Sequence, residues 1–299
     1  MNFRKQLFGI VTFACTFFSL LAGAATLEIK PYNPVFDRKD KKIKPIFPVA
    51  SVLITGKKDA VLIDAQFQKA FATDLVKMIK DSKKNLTTVF VTHKDPDFYF
   101  GLDTIKKEFP NVKILATKYT VNDIKASMDG KLKYWSPILK DQAPAKVILP
   151  EVLDGNSIML EGEKIEVIGL DSAAPGDTFL WLPSNKTAVG GVIVYGNMHL
   201  WVADNQSEES RKHWFEAMDA MENLKPTKVI PGHYLSKPMK IESIKFTRDY
   251  LKKFEEEAKK AKDSKELIGS MKKLYPKIGG NTELEMSAKV IKGEMKWPM

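Results

Sequence analysis

Two apolar runs, Pro48 to Thr55 and Ala60 to Ala65, flank the polar tetrapeptide Gly56-Lys57-Lys58-Asp59, the pattern of a β-hairpin. Phe67, Phe71, Leu75 and Ile79 then recur at every fourth position, which lines one face of an amphipathic helix. Val89-Phe90-Val91 follows as a short buried strand and breaks before Pro96, a residue that cannot donate to a strand ladder. Next come a helix on Leu102, Ile105 and Phe109, a strand over Lys113 to Ala116, and a helix on Val121, Ile124 and Met128 ending at Gly130. The segment Leu132 to Pro150 carries three prolines and is expected as a loop-rich insertion.

The second half opens all-β, with runs over Ser157 to Leu160, Lys164 to Leu170, Thr178 to Pro183 and Thr187 to Tyr195. A helix on Trp214, Ala217, Met218 and Met221, the strand Lys228 to Ile230 and the turn Pro231-Gly232-His233 follow. Strands alternating with helices predict an α/β arrangement of two packed β-α layers. No linker composition separates the halves, and no repeat at a fixed period is present. From Ile241 onward the chain is charged with a helical pattern, expected as an outer helix plus a C-terminal appendage.

Composition changes the picture at the N-terminus. Arg4 and Lys5 precede the apolar run Leu7 to Leu21, and Ala22-Gly23-Ala24 supplies small residues at a cleavage position. This is the pattern of a secretory signal peptide cut before Ala25. An uncleaved anchor is the alternative, but the run is short for a span of roughly 20 residues. The predicted organisation is therefore a leader over 1–24, a main domain over 25–240 and a helical extension over 241–299 packed on it. The expected location is the periplasm or the exterior, with no transmembrane segment in the mature chain. The one cysteine, Cys15, lies in the leader, so disulfides, zinc-thiolate sites and thiol nucleophiles are excluded from the mature chain. The net charge of +10 is spread over scattered lysines without a basic, aromatic-interleaved stripe, which argues against a nucleic-acid partner.

The densest chemistry lies where the strand breaks. His93, Asp95 and Asp97 occupy alternate positions in Thr92-His93-Lys94-Asp95-Pro96-Asp97-Phe98-Tyr99-Phe100-Gly101. A tight loop after a strand can turn them into one volume, and imidazole with carboxylate suits zinc, iron or manganese. The same string also reads as an Asp-Pro-Asp turn beside a solvated histidine. No Gly-x-Ser-x-Gly elbow is present.

Leu62-Ile63-Asp64-Ala65, the Thr92-His93 loop and Ile230-Pro231-Gly232-His233, in that order, resemble the metallo-β-lactamase superfamily over roughly residues 45 to 240. The resemblance implies an αββα sandwich, here with extra C-terminal helices, and metals along one edge of the sheets. His93, Asp97 and His233 match the family's ligand positions. Asp95 and Phe98 stand where histidines belong. Ala173 of Ala173-Ala174-Pro175-Gly176 and Gly191 of Val189-Gly190-Gly191 stand at two further ligand positions. Phe98, Ala173 and Gly191 are thus lost ligand positions, and an ordinary dinuclear zinc hydrolase is not expected.

Two readings stay open at this level. One is a hydrolase of a small ester, lactone or amide at a single rearranged metal site, holding zinc, manganese or iron. Its ligands would be His93, Asp97 and His233, with Asp95 as fourth ligand or base, and Asp95 and Asp97 would be the candidate catalytic carboxylates. The other is a non-catalytic protein that keeps the scaffold, binds a small molecule and needs no metal. Asp64 resembles a position that supports the ligands, or else caps a turn. His199 and Trp201 are expected at the cleft rim, with packing as the alternative for Trp201. Phe98 and Tyr99 are expected to make the cleft drier and suited to an apolar or aromatic ligand.

Overall fold

The computed structural model describes residues 27–236 and 241–297; the leader expected over 1–24 lies outside them. The first half comprises β1 (Glu28–Tyr32), α1 (Pro34–Asp37), β2 (Ser51–Thr55), β3 (Asp59–Ile63), α2 (Lys69–Ser82), β4 (Asn85–Val91), α3 (Pro96–Tyr99), α4 (Leu102–Glu108), β5 (Lys113–Ala116), α5 (Lys118–Leu139) and β6 (Glu151–Val152). Its six strands form one sheet in chain order, antiparallel from β1 to β3 and parallel from β3 to β6.

The second half continues with β7 (Ser157–Leu160), β8 (Glu163–Ile168), β9 (Phe179–Leu182), β10 (Thr187–Val189), β11 (Tyr195–Gly196), α6 (Glu208–Asn223), β12 (Lys228–Ile230), β13 (His233–Tyr234), α7 (Glu242–Lys260), α8 (Ser264–Leu274) and α9 (Asn281–Ile291). Its main sheet has the order β12-β10-β9-β8-β7, while β11 and β13 form a short parallel pair.

Side chains alternate across a strand, and here both faces are apolar. Val52, Ile54, Val61, Ile63 and Phe90 meet Ile158, Ile165, Leu180, Leu182 and Ile230 between the sheets. Their neighbours Leu53, Leu62, Val89 and Val91 pack with Phe71 and Leu75 of α2, Ile105 of α4 and Ile124 of α5. On the far side, Phe179, Trp181 and Val229 pack with Trp214 and Met218 of α6 and with Leu251, Leu267 and Leu284 of α7, α8 and α9. The result is the expected αββα sandwich. The C-terminal helices share the second helical layer's core and are not a loose appendage. No helix among the described residues is long and apolar enough to cross a membrane.

Two local expectations are corrected. The helix expected to end at Gly130 runs on to Leu139, through both Gly130 and Pro137. A mid-helix glycine costs only about 1 kcal/mol relative to alanine. Trp135 packs edge-on against Phe47 and Phe67, with centroids at 5.7 and 5.1 Å, and Leu139 is buried. That packing outweighs the propensity penalty. The run Thr187 to Tyr195 is a strand only to Val189, because Gly190 and Gly191 both take positive φ. The edge strand β1 has weak sequence signals: it carries Pro31, which an edge position tolerates.

The α3 turn is stitched to the end of β3. Ala65 N–H donates to the Phe98 carbonyl at 2.7 Å, and Gly101 N–H donates to the Gln66 carbonyl at 2.8 Å. A Cβ on Gly101 would lie 1.9 Å from the Ala65 carbonyl oxygen, so this approach requires glycine. The stitching fixes Asp97 and Phe98 beside the strand ends.

Candidate functional site

β3 and β4 end side by side, and the residue after each forms the first contact of the site. Asp64, at φ +59°, accepts the Thr92 N–H and the Thr92 hydroxyl, each at 2.8 Å. Thr92 Oγ1 in turn accepts the Gly191 N–H at 3.2 Å. Burial pushes the Asp64 carboxyl up to about 8, against the lowering effect of the two Thr92 bonds. Asp64 therefore anchors the residue next to His93 to the loop after β10.

The predicted ligand residues come together as two pairs. Asp97 Oδ2 lies 3.3 Å from His233 Nε2, and His93 Nδ1 lies 3.5 Å from Asp95 Oδ2. The Phe98 ring, fully buried, meets both imidazoles, 5.4 Å from the His93 ring and 5.3 Å from the His233 ring. The Tyr195 ring stacks on His233 at 5.6 Å and 14°. Burial, reinforced by the Lys94 charge, lowers the His93 imidazole to about 3, and burial followed by the nearby His93 lowers His233 to about 3. Burial and then the Asp95 charge raise the Asp97 carboxyl well above its ordinary range. Burial thus disfavours charge on both members of the Asp97–His233 contact.

This donor set does not fit a bound metal. His233 Nδ1 is buried without a hydrogen-bond partner, yet no second and third donor converge with it. Among the described residues no group of three His, Cys, Asp or Glu side chains is placed to hold a metal ion. His93 opens on one cavity, whereas Asp97 and His233 open on another. The expected single chelate of His93, Asp95, Asp97 and His233 is not assembled among the described residues: the donors stand as two pairs, and the Phe98 ring is in edge contact with both imidazoles.

The lost positions lie at the same place. Ala173 lines the cavity that His93 faces. Gly191 is bonded to Thr92, and its carbonyl approaches Gly232, next to His233. At φ +65°, a Cβ on Gly191 would fall 2.4 Å from the Thr178 carbonyl oxygen. The backbone at this position is shaped around having no side chain.

The cleft over Asp97 and His233 encloses about 130 Å³ and is walled mainly by aromatic rings: Phe47, Tyr134, Trp135, Tyr195, Trp201 and Trp297. Trp201 and Trp297 meet edge to face at 5.1 Å, and both indole N–H groups donate to Asp204, at 2.9 and 2.7 Å. Lys131 reaches over from α5, donating to the Lys94 carbonyl at 2.8 Å with Asp95 Oδ1 at 3.5 Å. Lys94 lies 3.8 Å from Asp123 and 3.9 Å from Asp204. The cavity on the His93 side encloses about 300 Å³ and shares Val192, Tyr195 and Trp201 with the first.

Trp201 lines both cavities. Three other expectations differ. Tyr99 is buried in the core under the first sheet, and Phe98 lies beneath the cleft with no exposed surface. His199 is turned away, its Nδ1 2.7 Å from the Tyr250 hydroxyl of α7. His213 is half-buried and lines a small cavity with Asp177. Sequence reasoning missed Trp135, Glu283 and Trp297, and it gave no role to Lys94, although Lys94 stands inside the string that drew attention.

A family model described as "Metallo-beta-lactamase superfamily" matches residues 45–233. Among solved structures, a metallo-β-lactamase from Pontibacter korlensis aligns at TM-score 0.54 with 18% identity, covering 76% of this chain and 99% of its own. The IND-7 metallo-β-lactamase aligns at 0.52 with 21% identity, covering 77% and 94%. The DIM-1 metallo-β-lactamase exposed to ceftazidime aligns at 0.52 with 18% identity, covering 76% and 93%. No curated protein sequence matches the chain. Identities this low establish the fold alone, but the family model spans more than half of the chain in the segment that carries Asp64, His93, Asp97 and His233. The chain belongs to the metallo-β-lactamase superfamily.

Proposed function

We propose that this protein binds a small molecule with an apolar or aromatic body in the cleft above Asp97 and His233, and does so without a resident metal. The observation that carries the reading is Phe98, a buried ring at a position where the family has a ligand, which packs on both His93 and His233 while those imidazoles line different cavities. Members of this superfamily usually hold divalent metal, and a catalytic zinc needs about three protein ligands on one centre. Here the pairs are split, and Gly191 has no room for a carboxylate. The aromatic walls match what small-molecule sites use for affinity: concave apolar surface with a few placed polar groups. The leader signal over 1–24 supports export to the periplasm or exterior as part of the same proposal.

The test is a fluorescence titration of the metal-stripped full chain with a library of small aromatic and apolar compounds, since Trp135, Trp201 and Trp297 report on the cleft. Saturable quenching that His233→Phe or Trp201→Ala removes supports the reading; a chain that binds library members only after zinc is added contradicts it.

A second reading rests on the Asp97–His233 contact. A carboxyl and an imidazole 3.3 Å apart in one cleft form an acid–base pair suited to hydrolysing a small ester, lactone or amide. Turnover in excess chelator, lost in Asp97→Asn, would favour it over binding alone.

A further inference from the structure

The cleft walls and its charges select among ligands. We propose that the ligand is an organic cation, an alkylated or quaternary ammonium group on an apolar body. This inference rests on the ligand-binding reading above and narrows it.

The first observation is the arrangement of the rings. Trp135 stands edge-on to Phe47 at 82° and to Tyr134 at 88°, and Trp201 stands at 77° to Trp297. Two near-perpendicular corners therefore line one cavity. The positive N–H edges of Trp201 and Trp297 are both tied back to Asp204. Rings set as corners around a cavity present negative π faces, the surface that attracts an ammonium group. Phe47, Trp135, Trp201 and Trp297 are only half-buried, so a ligand has apolar area left to cover.

The second observation is the balance of charge. Asp95, Asp97 and Glu283 line the cleft, and Lys131 is the cation among its described lining residues. Lys131 is already committed to the Lys94 carbonyl and Asp95. Asp97 has His233. Glu283 is 6% exposed and has no salt bridge among the described residues. The first turn of α9 favours an acidic residue there through the helix dipole. That preference does not require the carboxyl to face a cavity, and Glu283 does face one. An anionic ligand would meet three carboxyls with only Lys131 as counter-charge, and Lys131 is already engaged. A neutral ligand would leave Glu283, whose carboxyl accepts only its own backbone N–H, without a charge partner in the cleft. A cation satisfies Glu283 and the ring faces together.

Three probes of one shape test this on the full metal-stripped chain: phenyltrimethylammonium, its uncharged isostere tert-butylbenzene, and benzoate. Titration is followed by tryptophan fluorescence and calorimetry. The cation is expected to bind about tenfold more tightly than the isostere, or about 1.4 kcal/mol, with benzoate weakest. Glu283→Gln, close in shape, should erase most of that preference. Trp297→Leu, which keeps apolar area but removes a π face, should weaken the cation more than the isostere. Circular dichroism of both variants checks that they fold. Equal or tighter binding of tert-butylbenzene or benzoate overturns the cation inference and leaves the cleft reading standing. Cation binding that neither variant alters places the probe elsewhere and also overturns it. Silence of all three probes overturns both readings.

Discussion

The Phe98 ring stands edge-on to His233, centroids 5.3 Å apart at 88°, while its other side meets His93 at 5.4 Å. A fully buried ring thus packs against both imidazoles that a metal would have to join. Phe98→Ala should cost roughly 3–5 kcal/mol in denaturant unfolding, the range for truncating a buried aromatic side chain. It should also fail to create stoichiometric metal uptake, since positions 98, 173 and 191 still supply no ligand side chain. A neutral stability effect would mean that the ring is not packed as described.

Gly191 carries the complementary prediction. Replacing it by Asp puts a side chain at φ +65° and 2.4 Å from the Thr178 carbonyl. Left-handed strain alone costs about 1–3 kcal/mol in a non-glycine residue, and the contact adds to it. Gly191→Asp should therefore lower the denaturation midpoint and leave zinc affinity unchanged. A variant with wild-type stability and newly acquired zinc would show that the loop adapts and that one lost side chain was the whole difference.

Much of this arrangement is legible in the sequence, for a physical reason. Alternating apolar positions fix which face of each strand meets which layer, so Leu53 and Val52 fall on opposite sides as the pattern requires. His93 and His233 likewise follow strand ends, where chain order alone brings them to one edge. That Phe98 stands at a ligand position is legible in the sequence; that its ring packs on both imidazoles is not, because nothing local fixes which way the ring points. Trp135 sits in a segment whose prolines read as loop, and Trp297 lies near the end of an extension that the pattern sets apart. Both reach the cleft only through long-range packing. Asp204 shows nothing until its two indole partners are placed.

His199 offers a test of the second helical layer. Its Nδ1 meets the Tyr250 hydroxyl at 2.7 Å, and burial lowers the imidazole to about 4 from an unfolded value near 6.5. The unfolded chain binds the proton more readily, so this group's contribution is full above about 6.5 and is lost as pH falls toward about 4. His199→Ala should cost roughly 1–3 kcal/mol at pH 7.5, where Tyr250 loses its partner. The gap between wild type and variant should narrow between pH 6.5 and 4. A gap constant across that window would place the imidazole in contact with solvent.

Export is testable on the chain end. Arg4-Lys5, the apolar run and Ala22-Gly23-Ala24 predict a mature N-terminus at Ala25 or close to it. Intact-mass spectrometry of protein from the envelope fraction should find that species. Recovery of the chain beginning at Met1 would rule out cleavage.

The central claim is that the site works without a resident metal, and metal content measures it most directly. Protein purified without chelator is assayed by elemental mass spectrometry, then stripped and titrated calorimetrically with zinc, manganese and ferrous iron at pH 7.5. The split donor pairs predict metal far below one per chain and isotherms that His233→Ala leaves unchanged. One metal per chain, bound with saturable heat and lost in His233→Ala, would contradict the account and restore His93, Asp97 and His233 as a single centre.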